Sequence, residues 1–317
     1  EGPVFSDEPI DFGWLKKVDL NIGVEVESFA REQFLANSAQ FQVKVKSGLL
    51  SISPARLVYP RGKLDMDLEL DTREIPRLTF KALGENIDPR RALDIQAYKK
   101  ELQAEMNVDM SFSTSGLSPH EMAANSQGSI YITMQNGKLS APLADLVFWD
   151  VAGWVWKKAT DQKYYDITCG VADYTIDKGV ISTKAFILNA KDITITGAGT
   201  IDLGREQVDY VLVPDKKSLD IITKADPVNI KGPLNDPKVS TFPLRAAAKT
   251  TANALITVGA IIFAPVAPFV VIPAASAWYL KGHVHTGNGD SACLEYQKAR
   301  EMKEGQQEKV TPEKQKK

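Results

Sequence analysis

Residues able to bind a metal crowd into one short stretch, His283-Val284-His285 followed by Asp290 and Cys293. On an extended strand the two histidines share a face, as a metal site could use. In a Gly-rich loop the same pair faces solvent, and no second ligand cluster accompanies it. The sequence is therefore assigned neither a metal nor another cofactor. His120, the remaining histidine, follows Ser118-Pro119 at a helix start, so a histidine-based nucleophilic triad has few candidates. Among 40 acidic residues a general acid–base pair is conceivable, but nothing gathers two of them. The acids instead alternate with apolar residues, as the wet face of a sheet requires. No catalytic residue is named, and the chain is read as non-enzymatic. Two cysteines rule out a disulfide scaffold and a Cys-rich cage. Either Cys169 and Cys293 bridge, closing a loop worth on the order of 4 to 5 kcal/mol in the chain-entropy model, or Cys169 is buried beside Ala172 and Tyr174 with Cys293 free.

The elements that carry these residues are strands. Strict period-two alternation recurs along the chain, the pattern of strands with one dry and one wet face. Leu20, Ile22 and Val24 alternate with Asn21, Gly23 and Glu25, and Phe41, Val43 and Val45 with Gln42 and Lys44. Leu64, Met66, Leu68 and Leu70 follow the same rule, as do Met106, Val108, Met110 and Phe112, and then Ile130, Ile132 and Met134. Further candidates lie at 49–59, 76–83, 172–178, 180–189, 192–203 (with Ile193 and Ile195 on one face), 207–213 and 227–232, roughly a dozen strands in all. Pro60-Arg61-Gly62, Asn136-Gly137 and Asp177-Lys178-Gly179 read as tight connectors, which favour antiparallel neighbours. No G-x-G-x-x-G or P-loop motif follows a strand.

Helices are expected in few places. Asp88-Pro89 opens 89–103, Ser118-Pro119 opens a short turn with Glu121 completing a capping box, and Pro142 opens a segment reaching about Lys158. That last segment is apolar on more than one side, through Leu146, Val147, Trp149 and Trp156, and needs cover. From Ala254 to Leu280 there are 27 residues without a charge. Pro265, Pro268 and Pro273 would split them into legs of roughly 16 Å of helix, about half of a hydrocarbon core. A helical hairpin entering one leaflet fits, with Ile261, Ile262, Phe263, Phe269 and Val270 in contact with lipid and Trp278 and Tyr279 as an interfacial anchor. An apolar cover packed on the sheet is the other possibility. After Tyr296 the chain turns to Lys, Glu and Gln and reads as a solvated tail, partly helical at most. The implied division is 1–115 and 116–245 for two parts of one sheet, 246–282 for the apolar segment and 283–317 for the charged tail. Glu1 to Ile10 show no basic and apolar leader, so the chain is taken as a fragment or processed form.

With 317 residues and a net charge of −2, the chain can bury a large core but offers no field for grasping nucleic-acid phosphates. A dozen strands at about 4.8 Å spacing make a sheet near 60 Å long whose dry face needs an occupant. Neither a second sheet nor a set of amphipathic helices is evident. Met66, Met106, Met110 and Met134 on that face are adaptable side chains, suited to variable apolar partners, although methionine also serves as plain filler. The architecture is mainly β: a long curved antiparallel meander forming an open hydrophobic groove, with a few short helices.

Three stretches in order carry a resemblance: Ile176-Asp177-Lys178-Gly179-Val180, then Asp192 to Leu203 (DITITGAGTIDL), then Pro227 to Pro237 (PVNIKGPLNDP). The chain resembles the C-terminal part of an AsmA-family protein, related to the TamB-like and chorein-like bridge proteins. Similarity covers about 10–280 and is strongest over 165–240. The resemblance implies a taco-shaped β-groove in the periplasm of a Gram-negative cell that holds phospholipid acyl chains and moves them between inner and outer membranes. It also implies an inner-membrane anchor missing from this chain and an outer-membrane contact near 254–280. An oxidising compartment would suit a Cys169–Cys293 bridge. The alternative is an assembly factor whose sheet edge pairs with an outer-membrane protein.

Overall fold

The computed structural model describes residues 2–31, 34–88, 102–140, 164–191, 193–216, 227–241 and 293–302. After a 3-10 turn at Gly13–Lys17, the strands are β1 Leu20–Val26, β2 Phe29–Arg31, β3 Phe34–Ala36, β4 Ser38–Lys46, β5 Leu49–Val58, β6 Lys63–Asp71 and β7 Arg77–Ile87. They continue as β8 Leu102–Ser115, β9 Gln127–Ser140, β10 Tyr164–Asp177, β11 Val180–Ala190, β12 Ile193–Asp202, β13 Gln207–Lys216, β14 Val228–Pro233 and β15 Lys238–Thr241. Thirteen of them form one antiparallel sheet in the order β1-β4-β5 and onward without crossover to β15, while β2 and β3 pair separately. The sheet stays open, with β1 and β15 as its edges.

Turn chemistry explains the tightest links. Ser47-Gly48 and Lys178-Gly179 each join two strands with both residues at positive φ (49° and 85°, 47° and 75°), the two-residue turn whose twist matches paired strands. Asn136-Gly137 behaves differently. Asn136 also has positive φ, at 49°, but it lies inside β9, where the register with β8 slips between Gln103 and Glu105. The dipeptide makes a bulge and not a connector. In β5 Pro54, which has no N–H to give the ladder, sits at the slip between Ile52 and Ala55.

One expected helix is present at Pro119–Ala124, capped by Ser118 Oγ accepting from Glu121 N. The Glu121 carboxylate accepts from Leu117 N at 2.7 Å and so ties down the chain before the cap. The expected helix 89–103 falls mostly outside the described residues, but 102 and 103 belong to β8. The segments 142–158 and 254–280 lie outside the described residues entirely. The tail is in part helical, as read, at 293–302, but this stretch is docked on the sheet and not solvated.

The sheet is strongly curved at its β10–β14 end. The hydroxyls of Tyr174 on β10 and Tyr210 on β13 lie 3.3 Å apart, although strands three places apart in a flat sheet are separated by about 14 Å. Gly197 on β12 permits this closure. A Cβ there would lie 2.8 Å from the Tyr210 ring and 2.9 Å from the Phe186 ring, which meet edge to face above it at 6.5 Å.

Candidate functional site

The pairing register carries one face of side chains across the whole sheet. Leu20 faces Val45, Ile22 faces Val43 and Val24 faces Phe41. Val43 continues to Ile52 and Val45 to Leu50. Ile52 meets Leu68, Ala55 meets Met66 and Leu57 meets Leu64, and Met66 and Leu68 meet Ala82 and Phe80. Met110 and Val108 stand opposite Ala82 and Gly84, then opposite Ile130 and Ile132, with Met106 opposite Met134. On the next strand Ile132 faces Ala172 and Met134 faces Gly170. Leu188 leads on to Ile195. Every residue assigned to the groove from its periodicity therefore lies on this face, and the Tyr174–Tyr210 contact makes the face concave at its β10–β13 end.

The face is not uniform. Ile193 and Ile195 are 2% and 6% exposed, in a closed core with Leu188, Val208, Tyr210, Leu212, Val228 and Ile230. Burial holds the Tyr210 phenol, and to a lesser degree that of Tyr174, above its ordinary pKa, so both remain protonated hydrogen-bonding groups. Towards β1 the face loosens. Val24, Val43, Leu64, Met66, Leu68, Met106, Val108, Met110, Ile130, Ile132 and Met134 are half-buried, and Leu20 and Ile22 are 38% and 44% exposed. Half-buried apolar side chains across seven strands, β1 and β4 to β9, form the larger of the two zones, and this is the candidate site.

One rim of that zone is occupied by the segment 2–17. Leu15, fully buried, inserts with Phe12 among Val45, Leu50, Leu70 and Leu78 at the ends of β4 to β7. The segment then runs along the turns of that rim. Ile10 N donates to Leu117 O at 2.8 Å, and His120 N to Ser6 O at 3.1 Å. Val4 N and Phe5 N donate to the two Glu206 carboxylate oxygens at 2.8 Å each. Asn235 Nδ2 reaches Gly2 O at 2.9 Å. This strap has no regular period, because its partners are turns up to 233 residues away.

The opposite face carries the alternating polar residues, with cross-strand pairs such as Lys63 with Glu85 at 2.9 Å. Helix 293–302 packs there. Cys169 and Cys293 form a disulfide across 124 residues, in a small core with Val171, Ala185 and Ile187. Arg300 lies 3.4 Å above the Tyr131 ring centroid. Its guanidinium is 3.3 Å from Asp173 and 3.9 Å from Asp109. Tyr296 Oη donates to Asp173 at 2.9 Å; burial, then the Asp173 charge, push its pKa far up. A cavity of about 530 Å³ beside the disulfide is lined by Gln135, Lys138, Asp166, Thr168 and Gln297 among others.

Among the described residues no group of three His, Cys, Asp or Glu side chains could hold a metal. His283, His285 and Asp290 lie outside those residues, and Cys293 is committed to the disulfide. His120 binds two acceptors, Asp7 Oδ1 at 2.7 Å and Gly204 O at 2.8 Å, and so clamps the strap. Ile261, Ile262, Phe263, Phe269, Val270, Trp278 and Tyr279 also lie outside the described residues. No helix among the described residues is long and apolar enough to cross a membrane.

The family model for the AsmA family matches residues 2–186, from the strap through most of β11. The chain belongs to the AsmA family. It is also 27% identical over 179 residues to the AsmA family protein YhjG of Escherichia coli K12, covering 55% of this chain and 26% of that relative. The chain thus spans about a quarter of the length of the AsmA relative it matches. No solved structure matches it. The family match ends before the glycine-bearing stretches 192–203 and 227–237 and includes the whole of the half-buried zone.

Proposed function

We propose that this chain is a non-enzymatic lipid carrier whose concave face holds phospholipid acyl chains, acting in the periplasm of a Gram-negative cell between inner and outer membranes in support of outer-membrane biogenesis. The observation that carries this reading is the in-register apolar face, half-buried from β1 to β9. A sheet whose only task was a packed core would bury that face, as β10 to β14 do. Burial of a methylene is worth about 0.8 kcal/mol, so roughly ten methylenes along this face give about 8 kcal/mol, the micromolar scale before the cost of association. The four methionines let the surface adapt to chains of differing length. AsmA membership supports a role in processes of the outer membrane, and the disulfide suits an oxidising compartment. On this reading 254–280 contributes a membrane contact.

Lipid mass spectrometry on the gently purified chain tests the proposal. Stoichiometric phospholipid is expected, and its loss in Met110→Asp and Ile132→Asp with circular dichroism unchanged. A folded chain without lipid overturns the proposal. That outcome would favour strand pairing with an outer-membrane protein through β1, whose outer edge carries no strand among the described residues.

A further inference from the structure

His120 has an unusual pair of partners. Nδ1 lies 2.7 Å from Asp7 Oδ1 and Nε2 lies 2.8 Å from Gly204 O. A carboxylate and a carbonyl oxygen can only accept, so both ring nitrogens must donate, and only the imidazolium carries both protons. Once neutral, the ring keeps one bond and turns a lone pair towards the other oxygen. The contacts span three separate pieces of chain: Asp7 on the strap, His120 on the short helix and Gly204 in the β12–β13 turn. The same strap inserts Leu15 against Val45, Leu50, Leu70 and Leu78, the rim end of the concave face.

We propose that residues 2–17 are a proton-sensitive closure of the groove, docked while His120 is an imidazolium and loosened when it becomes neutral, uncovering the apolar rim at β4 to β7. The closure deepens the lipid-groove reading and rests on it for its ligand. Charged groups near His120 reinforce the sign. The Gly204 carbonyl, then Asp7, raise its pKa above the ordinary value, and Glu206 adds to this. Glu206 itself holds the strap through Val4 and Phe5. On the helix Glu121 is occupied by Leu117 N, and Arg205 beside Gly204 is paired with Asp202 at 3.7 Å. A histidine whose pKa is higher docked than free stabilises docking fully below the free value. It loses that contribution as pH rises through the docked value.

Hydrogen exchange of peptides from 2–17, corrected for intrinsic rates, is measured on the full chain at about pH 5.5 and about pH 8.5, either side of an ordinary histidine. Protection should fall about fivefold at the higher pH, the scale of a solvent-screened ion pair. In His120→Gln it should be low and equal at both. Equal protection in the wild type, or the same pH response in His120→Gln, overturns the closure. A second arm measures uptake of lipid from phosphatidylethanolamine–phosphatidylglycerol vesicles. Uptake should rise with pH in the wild type and be high at both pH values in Leu15→Ala. Lipid uptake indifferent to both changes overturns the closure while leaving the groove intact. No uptake under any condition instead overturns the groove, and with it the strap's role as a closure, even where the exchange result shows a proton-sensitive strap.

Discussion

Replacing Arg300 with methionine isolates what holds helix 293–302 on the sheet. The Asp173 side chain is 6% exposed and Arg300 is 20% exposed, whereas Asp109 is 59% exposed and adds little. Removing one partner of a buried pair costs about 3 to 5 kcal/mol, because the other charge stays behind without compensation. Here Tyr296 still donates to Asp173 at 2.9 Å, which favours the lower part of that range. The lost stacking on Tyr131 adds about 1 kcal/mol. Arg300→Met should therefore cost about 4 kcal/mol, read as a lower urea midpoint and faster exchange across 293–302. The double variant Arg300→Met, Asp173→Asn should be more stable than Arg300→Met alone, since no unpaired carboxylate remains. Strictly additive single and double variants, or an Arg300→Met protein within about 0.5 kcal/mol of wild type, would refute this account of the docking.

Two further outcomes follow from the packing. Gly197→Val places a branched side chain where even a Cβ would sit 2.8 Å from the Tyr210 ring, so a loss of about 1 to 3 kcal/mol is expected from overpacking, with the near-ultraviolet tyrosine signal altered. Replacing Cys169 and Cys293 together by alanine frees a loop of 124 residues and should cost about 2 to 5 kcal/mol by chemical denaturation; an unchanged midpoint would refute a stabilising role for the bridge.

Much of the architecture was legible because its signal is local. Period two from Leu20 to Val24 or Met106 to Phe112 dictates both a strand and which face is dry, and tight links such as Lys178-Gly179 then dictate antiparallel order. The same local chemistry misled at Asn136-Gly137, where left-handed backbone serves a bulge within β9. The docking of helix 293–302 on the sheet was not legible, because its contacts are Cys293, Tyr296 and Arg300, whose partners lie more than a hundred positions away. The partition of the concave face into a closed core and a half-buried zone was also hidden. Ile195 and Ile132 have the same alternation, and only the Phe186–Tyr210 closure over Gly197 separates their surroundings. The strap and the His120 clamp depend on contacts between residues more than a hundred positions apart, which no window of sequence contains.

On the proposed reading, one face of this AsmA-family sheet holds lipid and the other does not. The most direct test places a photo-crosslinking amino acid at Phe80, on the half-buried concave face, and separately at neighbouring Lys81, exposed on the opposite face. Both proteins are then irradiated in membranes containing labelled phospholipid. The account predicts a lipid adduct at position 80 and little at 81. Equal labelling at the two positions, or none at 80 in a folded protein, would contradict it.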